Sequence, residues 1–339
     1  MLELRNINVQ FSGRTILKDV NETFHRGEII GLVAPNGTGK STLMNVIMNY
    51  VKPNSGKVVV NEKLQYKTKK DEVKIHEVIS MMPDQSDLYN HLSGIEHLKV
   101  YCSMWNSDTD LIDKTIKELG MESYVKKRTG TYSLGMRQRL CFAMQIVSNT
   151  PIMLMDEVMN GLDPNNVNII SNILLKKREE GKIIIIASHL LDNLEQISDR
   201  IFLFKDGALV NSAVVSNGIG KSEISTVRVK GLSDIAKEIL INQFPGTNVL
   251  PLSNGVSLID VSSFSVEELS QLVVFLHDNK FTDFNFGNVS LGDLYTMFYI
   301  KDNTEINTSA NAAGLAEEYI RLKQELEIVK RAMTIVARK

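Results

Sequence analysis

The clearest indication of the fold is the stretch Ile29-Ile-Gly-Leu-Val-Ala-Pro-Asn-Gly-Thr-Gly-Lys-Ser-Thr42. Its first five residues form a short apolar run, which is typical of a strand buried on both faces. A glycine-rich loop follows, and a helical pattern begins near its end. Backbone N–H groups of such a loop and the N-terminus of the following helix both attract anions. The stretch therefore predicts an α/β fold with a phosphate-binding loop.

Individual residues of this loop have expected parts in binding a nucleotide. Lys40 is expected to reach the β- and γ-phosphates, and Ser41 to offer its hydroxyl to Mg²⁺. Ala34 stands where the usual pattern has glycine, and alanine is tolerated there if the backbone keeps a negative φ. The alternative is a plain glycine turn without a ligand. The candidate nucleotide-binding residues are Asn36, Gly37, Thr38, Gly39, Lys40, Ser41 and Thr42.

Two more apolar runs predict further buried strands of a parallel sheet. One spans residues 151–155 and ends in Asp156-Glu157, and the other spans 183–187 and ends at Ser188-His189. Open parallel sheets bind their ligands at the carboxyl ends of the strands. Asp156 is therefore a candidate Mg²⁺ ligand, and Glu157 a candidate to polarise an attacking water. Taken alone, the Asp-Glu pair is equally compatible with a helix N-cap, and His189 with an ordinary loop histidine.

Two other segments complete the pattern of the first 220 residues. Ser133-Leu-Gly-Met-Arg-Gln138 precedes an apolar helical stretch, and a serine N-cap explains it as well as a binding motif does. Leu4, Ile7, Val9 and Phe11 are spaced for a half-buried antiparallel strand. We therefore expect a small antiparallel β subdomain beside the parallel core. A helical subdomain completes the expected fold class.

Composition and charge exclude several classes of protein. The chain has 339 residues, which is about the length of two domains. Of these residues, 43% are hydrophobic and 23% are charged. Its formal net charge of -2 excludes a strongly basic nucleic-acid binder. The lysine-rich stretch 63–74 lacks the interleaved aromatics of base-stacking sites, so we interpret it as a solvated hairpin. Cys102 and Cys141 are interpreted as small hydrophobic residues rather than disulfide or zinc ligands.

The last third of the chain has a different organisation. A boundary is expected near residue 220, followed by a small α+β module over residues 224–300, for which a ferredoxin-like arrangement is one candidate. Residues 303–314 are expected to form a polar linker. Residues 315–339 carry apolar side chains at heptad spacing, which is typical of an amphipathic helix. This helix could form a coiled coil between two chains, pack on the α+β module or lie on a membrane surface.

Taken together and in order, these motifs resemble the ATP-binding cassette (ABC) family, over roughly residues 1–220. Ala34–Thr42 resembles the Walker A loop, and Leu154–Glu157 resembles Walker B with its catalytic glutamate. Tyr132–Arg139 is similar to the family signature, with Leu134 in place of a glycine. Asn160–Asp163 resembles the D-loop. Phe11 stands where the family has an aromatic residue that stacks on adenine, and the alternative for it is a core aromatic.

The resemblance implies a mechanism and roles for these residues. It implies ATP hydrolysis with Mg²⁺ by two copies of the chain that dimerise head to tail around two ATP molecules. Asp156 would position Mg²⁺, and Glu157 would orient or deprotonate water. The switch residue His189 would contact the γ-phosphate. Asp163 would make the contacts of the D-loop, and Ser133 and Gly135 would bind the partner's ATP.

Other features of the resemblance concern the metal and the partner. Met82–Tyr89 resembles the Q-loop, and either Asp84 or Gln85 would face the metal. The signature variant is similar to that of exporters of peptides, antibiotics and lipids. We therefore expect an ATPase subunit at the cytoplasmic face of the membrane, bound to a separate transmembrane permease and not to nucleic acid. Alternatives are an ABC ATPase acting on a soluble complex, or a regulatory ATP-binding module with weak turnover.

Overall fold

A computed structural model of the chain describes residues 1–212, 226–252 and 255–299. Contacts divide the chain into two compact units, the first of which ends at Ser212. The predicted linker 303–314 and heptad segment 315–339 lie outside the described residues. No helix among the described residues is long and apolar enough to cross a membrane.

Ten strands in residues 1–212 form two sheets. Their bounds are β1 Leu2–Phe11, β2 Arg14–Phe24, β3 Glu28–Val33, β4 Ser55–Val60, β5 Leu64–Gln65, β6 Ile79–Met81, β7 Ile152–Asp156, β8 Ile183–Ala187, β9 Arg200–Lys205 and β10 Ala208–Asn211. The order β10-β9-β3-β8-β7-β6 forms the larger sheet, in which every neighbouring pair is parallel except β9 and β10. The smaller sheet, β2-β1-β4-β5, is antiparallel.

The parallel core and its antiparallel flank confirm the fold class that the sequence predicts. All five residues of β8 are buried, and so are five of the six residues of β3. Continuous Ile, Leu and Val runs suit these positions because helices cover both faces of such a sheet. The polar residues that follow β3, β7 and β8 consequently meet at one edge of the sheet.

Seven helices are described in the same unit. They are α1 Lys40–Ile47, α2 Lys69–His76, α3 Gly94–Met104, α4 Asp110–Glu118, α5 Leu134–Ser148, α6 Pro164–Glu179 and α7 Leu191–Ile197. Helices α3, α4 and α5 come between β6 and β7 and form the predicted helical subdomain. Ser133 caps α5 by accepting a hydrogen bond from Met136 N, and Asp163 caps α6 by accepting one from Asn166 N. Both motif residues therefore also serve as N-caps.

One local prediction is wrong. We interpreted residues 63–74 as a hairpin, but only Leu64–Gln65 is a strand, and the helix α2 begins at Lys69. Thr68 and Asp71 form a reciprocal capping box, in which the threonine hydroxyl oxygen accepts from Asp71 N and the aspartate accepts from Thr68 N. This pair satisfies the first backbone groups of the helix and fixes its start.

The second unit has the β-α-β-β-α-β order of ferredoxin-like folds. Its elements are β11 Thr226–Lys230, α8 Asp234–Gln243, β12 Val249–Pro251, β13 Val256–Asp260, α9 Val266–Asp278, β14 Phe284–Gly287 and α10 Leu291–Tyr299. The antiparallel sheet has the order β12-β13-β11-β14. Neighbouring residues of β13 belong to separate cores: Ile259 packs with α8 and α9, and Leu258 packs with Leu294 of α10.

Candidate functional site

The loop between β3 and α1 has the backbone that a phosphate-binding loop needs. Gly37 and Gly39 have φ angles of 79° and 123°, which side chains other than glycine rarely adopt. A Cβ on Gly39 would also lie 3.1 Å from the carbonyl oxygen of Ile16. Ala34 is buried and has no positive φ, so its methyl group is accommodated. No side chain caps α1, which leaves its first N–H groups available to an anion.

Lys40 is folded back onto its own loop. Its Nζ donates to the carbonyl oxygens of Ala34 at 2.5 Å and Pro35 at 3.2 Å. Burial lowers the pKa of Lys40, and the nearby carboxylates of Glu157 and Asp156 act against that shift. The ammonium group is thus held between the loop and the strand-end carboxylates, where a phosphate would compensate its desolvation.

Ser41 and Asp156 meet at the carboxyl end of β7. Ser41 Oγ donates a hydrogen bond of 2.7 Å to Asp156 Oδ2. A hydroxyl and a carboxylate are hard oxygen donors, and Mg²⁺ commonly takes one or two such protein ligands and completes its shell with phosphates and water. No cluster of three or more His, Cys, Asp or Glu side chains is found among the described residues. The donor set therefore fits Mg²⁺ held jointly with a nucleotide.

Glu157 and His189 form a contact across the ends of β7 and β8. His189 Nε2 lies 3.0 Å from Glu157 Oε1 and 2.8 Å from Asn36 Oδ1. Burial raises the pKa of Glu157, while the charge of His189 lowers it. A carboxyl group with a raised pKa beside a histidine is suited to accept a proton from water.

The backbone of Glu157 is as unusual as its side chain. Its φ is 51°, in the left-handed region, and its N–H donates to Ala187 O at 2.8 Å. Such strain outside glycine persists only where surrounding contacts enforce it. Here the turn after β7 aims the carboxylate at the loop that follows β8.

A buried glutamine that sequence reasoning missed connects the Q-loop to this turn. Gln138 Nε2 donates to the carbonyl oxygens of Glu157 at 2.9 Å and Val158 at 3.0 Å. Gln85 Nε2 in turn donates to Gln138 Oε1 at 2.5 Å. Gln138 lies within the quoted signature, and a polar residue on the apolar side of a helix signals such partners.

The structure separates the two Q-loop candidates. Asp84 is exposed, and its Oδ1 accepts from Ser86 N at 2.8 Å and Ser86 Oγ at 2.6 Å. These bonds lower the pKa of Asp84. The Asp84 carboxylate thus caps a single 3-10 turn over Gln85–Asp87, whereas the Gln85 side chain lies in the network of the Glu157 turn.

Signature and D-loop residues form a second group. Ser133 and Leu134 are exposed at the start of α5. A Cβ on Gly161, whose φ is 71°, would come within 2.9 Å of Leu134 Cδ2, and a Cβ on Gly135 within 3.6 Å of Gly161 O. Leu134 therefore packs directly on the loop that leads to Asp163.

Comparison with known proteins identifies the family. The ABC transporter family profile matches residues 17–160. The uncharacterized ABC transporter ATP-binding protein YhcH of Bacillus subtilis (strain 168) is 31% identical over 261 residues, which are 76% of this chain and 83% of YhcH. The chain belongs to the ABC transporter ATP-binding proteins. It is an ATP-binding and ATP-hydrolysing subunit.

Further relatives and structures are consistent with this cassette. Lantibiotic transport ATP-binding protein SrtF of Streptococcus pyogenes is 30% identical over 62% of this chain and 89% of its own length. A structure of cbiO1 from Clostridium perfringens, part of an ABC transporter complex, is 29% identical, with a TM-score of 0.54 over 62% of this chain and 86% of that chain. The ATP-binding cassette MJ0796, solved as a dimer with ADP and Pi, shares the fold at a TM-score of 0.56 and 24% identity over 62% of this chain and 96% of that one.

The predicted cassette residues fall into distinct places. The Walker A loop, Walker B carboxylates and His189 are brought together, and the signature lies with the D-loop. Phe11 is 48% exposed at the end of β1, so it is not a core aromatic. No described contact places Phe11 in either group.

Proposed function

We propose that this ABC cassette drives the export of a peptide antibiotic or lipid-like substrate through a separate transmembrane subunit. The contact of Glu157 with His189 and Asn36, beside the Ser41–Asp156 pair, supports a hydrolytic site. Relatives named for lantibiotic and bacitracin transport support the substrate class; the bacitracin transport ATP-binding protein BcrA of Enterococcus faecalis is 28% identical over 80% of this chain and 87% of its own length.

In this proposal each chemical role belongs to a residue whose position is described above. Glu157 orients the attacking water and accepts its proton. His189 holds the Glu157 carboxylate and contacts the γ-phosphate, and Lys40 exchanges its carbonyl partners for phosphate oxygens. Ser41 and Asp156 hold Mg²⁺, with Gln85 rather than Asp84 reaching toward it. When bound, Mg²⁺ neutralises charge that develops on the phosphates.

The second group of residues supports a head-to-tail homodimer. Ser133 and Gly135 lie at the N-terminus of α5, where backbone N–H groups and the helix dipole favour an anion. Ser133 is exposed, so a nucleotide carried by another copy can reach it. We place the γ-phosphate of the partner's ATP there, and Asp163 at the contact between the two copies.

A transmembrane subunit needs an apolar docking surface on the cassette. Tyr50, Val73, Tyr89, Val100 and Met104 are each at least 50% exposed, and we call them the permease face. They account for five of the eight exposed large hydrophobic side chains described in residues 1–212. The other three are Phe11 at the end of β1, Leu134 in the signature and Leu190 beside His189.

Ring contacts and one hydrogen bond tie parts of the permease face to neighbouring residues. The Tyr50 ring lies 6.3 Å from that of His76, and Trp105 Nε1 donates to His76 O at 2.9 Å. Trp105 follows α3, which carries Val100 and Met104 one turn apart, and the Tyr89 ring stacks on His97 of the same helix. Exposed apolar side chains on these neighbouring elements support an interaction site there.

Co-purification tests the proposal. A tagged chain, extracted gently in detergent from its own cells, should retain a stoichiometric protein with several apolar spans. Val100→Asp/Met104→Asp should lose that protein and keep basal ATPase activity, because neither residue contacts the nucleotide site. Ile235→Asp/Val274→Asp, which changes exposed apolar residues of the second unit, is the matched control and should retain it. Recovery of soluble partners or ribosomes alone would contradict the proposal.

A further inference from the structure

Helix α2 and the segment before it carry a set of exposed lysines. We call Lys63, Lys67, Lys69, Lys70 and Lys74 the basic face. Lys69, Lys70 and Lys74 lie on the side of α2 opposite buried Ile75, and Val73, which is 60% exposed, lies among them. The charge of these three lysines is therefore concentrated on one outward side of a short helix.

The acidic residues of the same helix do not neutralise this face. Asp71 is half-buried and accepts from Thr68 N and Thr68 Oγ1 in the capping box. Glu72 is half-buried and accepts from Asn49 Nδ2 at 3.0 Å. Within the described parts of the chain, none of the five lysines forms an ion pair. Both carboxylates serve the fold, and the ammonium groups point to solvent.

The residue type indicates which kind of anion fits. No arginine occurs between Arg26 and Arg128. Arginine provides the planar fork that pairs with individual carboxylates, whereas lysine is a compact, hydrated point charge on a flexible stem. Several lysines around an exposed valine suit a diffuse negative surface with an apolar layer beneath it.

The position of α2 indicates where such a surface lies. The ring of its last residue, His76, lies 6.3 Å from the ring of Tyr50 of the permease face, and Val73, which also belongs to that face, lies among the lysines of α2. We propose that the basic face binds the anionic headgroups of phospholipids next to the transmembrane subunit. This inference rests on the proposed function for the nearness of a membrane.

Vesicle binding tests the inference without any transmembrane subunit. The full-length purified chain is mixed with vesicles of pure phosphatidylcholine or of phosphatidylcholine with 30% phosphatidylglycerol, and the bound fraction is measured by flotation. We expect binding to the anionic vesicles only, weakened by raising the salt from 0.05 to 0.3 M. Lys69→Gln/Lys70→Gln/Lys74→Gln should lower the partition coefficient roughly a hundredfold, about fivefold per lysine.

A matched variant separates local from overall charge. Lys114→Gln/Lys117→Gln/Lys126→Gln removes the same charge from exposed positions elsewhere and should lower the partition coefficient less than threefold. ATPase activity, unchanged in both variants, shows that they fold. Equal binding to both kinds of vesicle, or equal losses in the two variants, would overturn the inference. The inference would also be overturned if Lys69→Gln/Lys70→Gln/Lys74→Gln lost the co-purified membrane protein but kept vesicle binding. That result would assign the lysines to an acidic protein surface. Failure of the proposed function would appear separately, as absence of that membrane protein from the parent chain.

Discussion

At the scale of single residues, the site depends on how Glu157 is held. Burial raises its pKa above the ordinary carboxyl value, and the charge of His189 lowers it. The carboxylate is the form that accepts a proton, so the rate should fall as pH falls through the raised pKa. The two opposing influences can be separated by removing the histidine.

His189→Gln should therefore move the acid side of the pH–rate profile to higher pH. Without the histidine charge, burial and the Asp156 carboxylate, which both raise the pKa of Glu157, are opposed only by the backbone hydrogen bond from residue 189 and by the charge of Lys40, which are smaller influences. The maximal rate should also fall by about 10²-fold, because the carboxylate loses its orienting contact. Steady-state ATPase rates from pH 5 to 9 measure both effects. His25→Gln, an exposed histidine of the first unit, should leave the profile in place. An unmoved or acid-shifted limb in His189→Gln would contradict the assignment.

Sequence patterns predict these residues unevenly, for physical reasons. The Lys40, Asp156 and Glu157 positions follow strand ends, and a parallel sheet brings strand ends together whatever the details of the loops. The choice between Asp84 and Gln85 depends on the hydrogen bond that Ser86 N donates to the Asp84 carboxylate, and on the hydrogen bond of Gln85 to the buried amide of Gln138. Such a network involves residues 53 positions apart, which local spacing does not reveal.

At the scale of elements, the start of α5 and the D-loop act as one packed unit. Leu134, which replaces the usual glycine of the signature, lies against Gly161. An alanine at position 161 would need to displace the leucine and would also strain a backbone with φ of 71°. The signature variant thus makes a contact that a glycine could not make.

Gly161→Ala should lower the ATPase rate roughly tenfold to a hundredfold, because small displacements of binding groups are costly in catalysis. Gly181→Ala is the matched control: its φ is 81°, and no atom lies within 4 Å of an added Cβ. Both variants should lose about 1 kcal/mol of unfolding free energy from the strained backbone, measured by denaturant titration. Only Gly161→Ala should lose activity. Equal rates in the two variants would show that the contact has no part in turnover.

The elements themselves show what local patterns can predict. Continuous apolar runs predict β3, β7 and β8 because a strand that is buried on both faces has no solvent-facing positions for polar side chains. The stretch 63–74 was interpreted wrongly because charge and length alone do not distinguish a hairpin from a short helix. The Thr68–Asp71 capping box distinguishes the two, because this pattern marks the start of a helix.

At the scale of the whole molecule, all of the proposed functions lie in the first of two compact units. The nucleotide-site residues from Asn36 to His189 lie in the first unit, together with the permease face and the basic face. The second unit has its own sheet and cores. Its sequence carries no motif of known chemistry, and the coiled-coil, packing and membrane-surface alternatives for the heptad segment stay predictions.

We propose that ATP hydrolysis by this chain is coupled to a peptide antibiotic or lipid-like substrate through a membrane subunit. The most direct measurement is the ATPase rate of the co-purified complex in proteoliposomes, with and without bacitracin, a lantibiotic or a lipid-linked peptidoglycan precursor. We predict that at least one raises the rate several-fold in the parent complex, and that Glu157→Gln lowers turnover by at least about 10²-fold while ATP still binds. A rate that no such compound changes, or a Glu157→Gln complex as active as the parent, would contradict the account.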